Sequence, residues 1–234
     1  MKITFLGASH AAQHLSAAAA ERGFELVGIH ANPALVFVSE DCPTDAHGTR
    51  DLEPIDALVL RAMATAPAWS PLVITSQVPP GFTRKYGGKF GVFHQAETLR
   101  IKDAAHRASH PEMFIVGCAD TEKPLPHAYA MYLSAFDCPV LRMSYESAEF
   151  AKCAINAFLI SQVETTNMLA RLAEKCGADW ASVREALQHD SRIGQQAYLE
   201  PGRWQDSRHL LRDFATLRGT GDAAYNEPLL SAWV

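Results

Sequence analysis

MKITFLGASHAAQHLSAAAAERGFELVGI, residues 1–29, opens the chain. Residues 1–7 are a β-branched and aromatic run ending in Gly7. An alanine-rich stretch then continues to about Arg22, and Gly23 stops it before a second strand-like run from Phe24 to Ile29. That order is a βαβ opening. Further short apolar runs follow at Leu35–Ser39, Leu72–Ser76, Lys89–Phe93 and Phe114–Gly117. Strands alternating with helical stretches predict an α/β chain with a mostly parallel sheet and helices on both faces. From about Ser147 the pattern turns to helix. Ala148–Cys176 is stopped by Gly177, and Asp179 stands where it would cap a shorter helix to about Gln188.

Composition sets the class. The 234 residues are 48% hydrophobic and 20% charged, enough for a sizeable core in one or two domains. With 21 basic against 26 acidic residues the net charge is −5, which speaks against nucleic-acid and anionic-membrane partners. The five cysteines are scattered without a CxxC pair, so neither a disulfide framework nor a zinc site is expected, and a reducing cytoplasm is the natural setting. Ser9, His10, Gln13 and His14 break the first apolar run before a signal-peptide core forms, and no other stretch approaches a membrane span. His10/His14 and His106/His110 are i,i+4 pairs without a third ligand nearby. Solvated helix histidines, and no metal, are the expectation.

The first turn bears on cofactor binding. A dinucleotide-binding βαβ unit needs glycine where the backbone passes close to a diphosphate. The pattern GxGxxG falls on Gly7, Ser9 and Ala12, so Ser9 brings a side chain to the second position, while Ala12 is tolerated at the third. His30 stands where an acidic residue would hold the ribose. An imidazole cannot mimic that carboxylate, though it suits a 2′-phosphate. The cofactor-binding set is therefore Gly7, Ser9, His10, Ala11 and His30, with Gln77 farther along the chain, for NAD or NADP; a Rossmann-like core that binds no dinucleotide is the alternative reading.

Motifs farther along carry a resemblance. Residues 42–51 read CPTDAHGTRD, 76–83 SQVPPGFT, 95–104 QAETLRIKDA, 111–117 PEMFIVG, 148–167 AEFAKCAINAFLISQVETTN and 192–194 RIG. In this order they resemble the UDP-glucose/GDP-mannose dehydrogenase family, which oxidises nucleotide sugars with NAD. The resemblance implies a reduced Rossmann-like parallel-sheet domain over residues 1–145 followed by an all-helical dimerisation domain over 146–234. It places Glu97, Lys152, Asn156 and Asp213 on positions that act as acid/base, oxyanion stabilisers and water orienter. Gln77 replaces a threonine that shares this work.

The same comparison shows departures. The family's glycine-rich loop and catalytic cysteine, GFGYGGSCFPKD, correspond here to GRWQDSRHLLRD, residues 202–213, with His209 at the nucleophile. That cysteine forms the thioester required for a four-electron oxidation. Imidazole more commonly carries protons. At most two-electron alcohol or aldehyde chemistry is expected. Family members also continue beyond the position of Val234 into a second nucleotide-gripping domain. Two alternatives stay open: a noncatalytic paralogue that binds a ligand or partner, and a non-redox lyase or isomerase using Glu97, Lys152 and His209. A homodimer through the helical domain is expected, with burial of Leu229, Leu230 and Trp233, and the ligand would be a small sugar or sugar-nucleotide-like molecule.

Overall fold

A computed structural model describes residues 1–87 and 91–220. The chain divides into two compact units: residues 1–43 with 50–152, and residues 44–49 with the chain from Cys153 onward. The division falls inside one long helix, a turn or two beyond the 145/146 boundary expected from sequence.

The first unit is built on a seven-stranded sheet: β1 (Lys2–Leu6), β2 (Glu25–Leu26), β3 (Leu35–Val38), β4 (Leu72–Ile74), β5 (Val92–Gln95), β6 (Phe114–Cys118) and β7 (Val140–Ser144). Their spatial order is β2-β1-β3-β4-β5-β6-β7, and every pair is parallel except β5 with β6. The mostly parallel α/β expectation holds. Helices α1 (His10–Glu21), α2 (Glu53–Thr65), α3 (Ala104–Ser109) and α4 (His127–Ser134) cover the two faces.

Side-chain alternation explains why both faces are dry. Along β3, Leu35 and Phe37 enter one core with Ile3, Val73, Tyr129 and Tyr132, while Val36 and Val38 enter the opposite core with Ile55, Val59 and Ile74. A strand buried on both sides reads as an unbroken apolar run, which is what LVFV is.

Several expected elements shift. The second strand is shorter than Phe24–Ile29: it is an exposed edge of two residues, and Ile29–Ala31 turn into a 3-10 segment closed by Asn32 in the left-handed region (φ 55°). The fourth ends at Ile74, after which Thr75 Oγ1 donates to the Val38 carbonyl at 3.2 Å and Ser76 Oγ accepts from the Glu40 amide at 2.8 Å. The fifth starts at Val92; the expected Lys89 and Phe90 lie outside the described residues, as do Leu229, Leu230 and Trp233.

Helix α5 (Tyr145–Cys176) starts in the first unit. Tyr145 donates to the Val92 carbonyl at 2.6 Å. Gly117 on β6 is where the helix meets the sheet, since a Cβ there would lie 2.9 Å from the Ala148 Cβ and 3.1 Å from the Tyr145 Cα.

His94 pairs with Gly117 in the ladder and is only 2% exposed. Burial pushes its pKa down to about 4, partly opposed by a hydrogen bond to the Ile74 backbone, and its Nδ1 has no partner among the described residues. The folded state therefore holds the imidazole neutral. Because the folded pKa lies below the unfolded one, this contribution is complete above pH 6.5 and is lost as the pH falls towards 4. Acidification from pH 7.5 to 4.5 is expected to cost on the order of 2–3 kcal/mol through this group alone. His94→Gln should show a Tm drop smaller than wild type by roughly 5 °C over that interval; equal drops would remove His94 as the cause.

In the second unit, α5 carries α6 (Trp180–His189) and α7 (Arg208–Thr220). Gly177 ends α5 at φ +76°, and Asp179 caps α6 by accepting the Ser182 amide at 2.9 Å, as the sequence indicates. No described helix is long and apolar enough to cross a membrane.

Candidate functional site

The sheet order reverses at β1: the chain steps to β2 on one side and returns to β3 on the other. Ligands of doubly wound sheets bind at the carboxyl ends of the strands at such a reversal. Here that place is formed by Gly7, Ala8 and Ser9 after β1 and by Ser39 and Glu40 after β3.

Gly7 has φ +110°, and a Cβ on it would lie 2.3 Å from the Ser39 carbonyl oxygen. The glycine is thus required by the close approach of two strand ends. Ser9 is 2% exposed and caps α1: its hydroxyl accepts the Ala12 amide at 2.9 Å, donates to the Ser39 carbonyl at 2.8 Å and lies 3.0 Å from Ser39 Oγ. Its side chain is turned into the protein, away from the space a diphosphate would enter.

Beside this turn an open pocket of about 320 Å³ is lined by Phe5, Gly7, Ala8, Ala12, Gln13, Ser16, Leu26 and Val27. Its size and apolar walls suit a nucleoside. His10 is exposed and lies with its Nε2 3.1 Å from that of His14. Ala11 packs against the core. His30 is exposed on the 3-10 segment and does not line the pocket, whose wall at that end is Leu26 and Val27.

The other expected residues of the first unit lie along the loops after β4 and β5 and on α5. Gln77 is half-buried, and its carbonyl accepts from Arg50 at 2.7 Å. Glu97 is half-buried after β5, and its carboxylate accepts the Leu99 amide. Lys152 is half-buried on α5. The turn VPPG before the 3-10 segment Thr83–Tyr86 is held by Glu149, a residue that sequence reasoning left without a role. Its carboxylate accepts the Gly81 amide at 2.5 Å and the Thr83 amide at 2.8 Å. Burial raises the Glu149 pKa, and these hydrogen bonds oppose the rise.

In the second unit Asn156 and Asp213 are brought together. The Asn156 amide donates to Asp213 Oδ2 at 2.5 Å, with the two residues 4% and 0% exposed. His209, exposed in the first turn of α7, accepts from the buried Arg212 at 2.8 Å through Nδ1. An arginine can only donate, so Nδ1 is the acceptor of this pair.

The loop that carries glycines in the resembling family is fixed here. Trp204 is 8% exposed in a small core with Ile160 and Val163, stacks edge-on against Phe214 at 5.0 Å and donates to Glu164 at 2.5 Å. Asn167 closes a reciprocal pair with Gly202, donating to its carbonyl at 2.8 Å and accepting its amide at 2.9 Å. The motif asparagine is therefore an anchor for the loop. Residues 44–49 also belong to this unit: at Gly48, φ +86°, a Cβ would lie 2.7 Å from the Ala215 Cβ and 2.9 Å from the Leu211 carbonyl. That contact accounts for the glycine in CPTDAHGTRD. Among the described residues no group of three metal-ligating side chains occurs.

Residues 146–233 match the UDP-glucose/GDP-mannose dehydrogenase family, central domain. The UDP-glucose 6-dehydrogenase YwqF of Bacillus subtilis is 28% identical over 178 residues, covering 72% of this chain and 40% of that protein. The chain thus spans about two fifths of the length of that relative. Among solved structures, a UDP-glucose dehydrogenase from the hyperthermophilic archaeon Pyrobaculum islandicum superposes with a TM-score of 0.74 at 20% identity, over 99% of this chain and 67% of that one. A ternary complex of GDP-mannose dehydrogenase from Pseudomonas aeruginosa gives 0.71 at 18% identity, over 99% and 68%.

Proposed function

The chain belongs, over part of that family's length, to the UDP-glucose/GDP-mannose dehydrogenase family, and from that premise we propose that it is an NAD(P)-linked oxidoreductase confined to two-electron alcohol–aldehyde chemistry. The observation that carries this reading is the β1–Gly7–α1 turn at the sheet reversal, with a nucleoside-sized pocket beside it. NAD(P), when bound, supplies hydride transfer. Gly7 lets the strand ends close, and Phe5, Leu26 and Val27 give the nucleoside an apolar seat. Lys152 holds the reacting oxygen and stabilises its negative charge. Glu97 takes the hydroxyl proton. With imidazole in place of a thiol at position 209, oxidation stops at the aldehyde.

The test is incubation with NAD or NADP and UDP-glucose in the presence of an aldehyde-trapping hydrazide. The expected outcome is one reduced cofactor per trapped aldehyde, with loss of turnover in Lys152→Ala. Two reduced cofactors per sugar, with acid as product, would contradict it. A noncatalytic binding role is the second reading. It is favoured by Trp204, which holds the loop over residues 202–207 in a core.

We also assign a homodimer to α5 and a cytoplasmic setting to the chain. Phe150, Phe158, Met168 and Leu172 are 50%, 73%, 50% and 50% exposed. At 3.6 residues per turn they fall within an arc of about 80°. An apolar stripe of that kind fits a symmetric, self-complementary contact. Light scattering should give a dimer at micromolar concentration for the wild type and a monomer for Phe158→Asp. A monomeric wild type would contradict the assignment.

A further inference from the structure

The crevice at the sheet reversal holds an anion supplied by the chain. After β3 the backbone turns so that Glu40 Oε2 accepts the Ala8 amide at 3.2 Å and Glu40 Oε1 accepts the Asp41 amide at 3.0 Å. The Glu40 amide is held by Ser76 Oγ at 2.8 Å, which fixes where the residue leaves the sheet. Ala8 lies between Gly7 and the cap of α1. In a doubly wound sheet the amides of that turn face a ligand diphosphate. Farther along the turn, the Ser9 amide donates to the Ser39 carbonyl at 3.4 Å and the Ala12 amide is capped by Ser9. Ala8 lines the nucleoside-sized pocket as well, so pocket and carboxylate share one residue.

A carboxylate in this position does two things. It satisfies an amide that would otherwise bind phosphate, and it places a negative charge where a diphosphate would bring more. Exposed Asp41 adds a second acid at the same rim.

We propose that Glu40 determines the specificity of this crevice: its carboxylate occupies the phosphate position of the turn, so the pocket accepts the nucleoside part of a nucleotide and discriminates against the diphosphate. A dinucleotide binds only by displacing Glu40. The proposal deepens the cofactor reading above and rests on it.

Titration calorimetry of the full chain with adenosine and with ADP-ribose separates the two. For Glu40→Gln, which keeps the shape and removes the charge, and for Glu40→Ala, which vacates the position, ADP-ribose should bind at least tenfold more tightly than to wild type. Adenosine affinity should stay within twofold in both variants. Unchanged ADP-ribose affinity in both variants, with binding still measurable, overturns the role of Glu40 and leaves the cofactor reading standing. An equal gain for adenosine and ADP-ribose also overturns it, because the effect would then not lie on the diphosphate. If neither ligand binds any of the three proteins, the proposal and the cofactor reading fall together.

Discussion

Gly7→Ala is expected to destabilise the first unit by about 3 kcal/mol or more, enough to leave the variant partly unfolded at 37 °C. Two costs combine. The backbone sits at φ +110°, where an L side chain is strained, and the added methyl would lie 2.3 Å from the Ser39 carbonyl oxygen and 2.7 Å from its carbon. Both are backbone atoms fixed by the pairing of β1 with β3, so neither can move without opening the ladder. Gly23→Ala is the control: it also has positive φ, at +83°, but no atom within 4 Å of the new methyl, and should cost only about 1–2 kcal/mol. Urea unfolding of the two variants measures the difference. Equal losses would mean that backbone angle alone, and not the approach of the strand ends, makes glycine necessary at position 7.

Trp204→Gly, which restores the residue type of the resembling family's loop, is expected to cost the second unit about 3–5 kcal/mol. The indole fills the small core with Ile160 and Val163, packs against Phe214 and donates to Glu164. Its removal leaves a cavity and an unpaired carboxylate. Trp204→Phe keeps most of the packing and should lose about 1–2 kcal/mol. Hydrogen exchange of the α7 amides reports the effect locally, and unchanged protection in Trp204→Gly would refute the view that this loop is pinned. A tryptophan held in a core makes residues 202–207 part of the scaffold of the second unit.

Local signals in the sequence were reliable where neighbours in the chain decide the structure. The strand ending at Gly7, the stop at Gly23, and the succession of α5, Gly177 and the Asp179 cap all follow from residues within a few positions of one another. What was not legible depends on partners far apart. The β7 strand is an exposed edge with little apolar alternation. The antiparallel turn of β6 is a matter of sheet topology, which periodicity does not encode.

The same division holds at the site. In sequence Gly7 points to a diphosphate; the fold adds its close approach to Ser39, 32 positions away in sequence. The sequence pattern puts the Ser9 side chain in the ligand's path, and the cap it forms draws it inward. Glu149 and Asn167 stand in quoted motifs, but their roles as anchors for the Gly81–Thr83 turn and for Gly202 need the folded chain to be seen. Glu40 left no signal in the sequence, because the Ala8 amide it meets is supplied by another strand end.

Titration of the purified chain with NAD, NADH, NADP and NADPH at millimolar concentration, followed by heat and by thermal shift, bears most directly on the assignment of a nicotinamide-linked oxidoreductase. Saturable binding of one dinucleotide is the result expected of the pocket beside Gly7. Absence of heat and of any shift with all four would contradict the assignment.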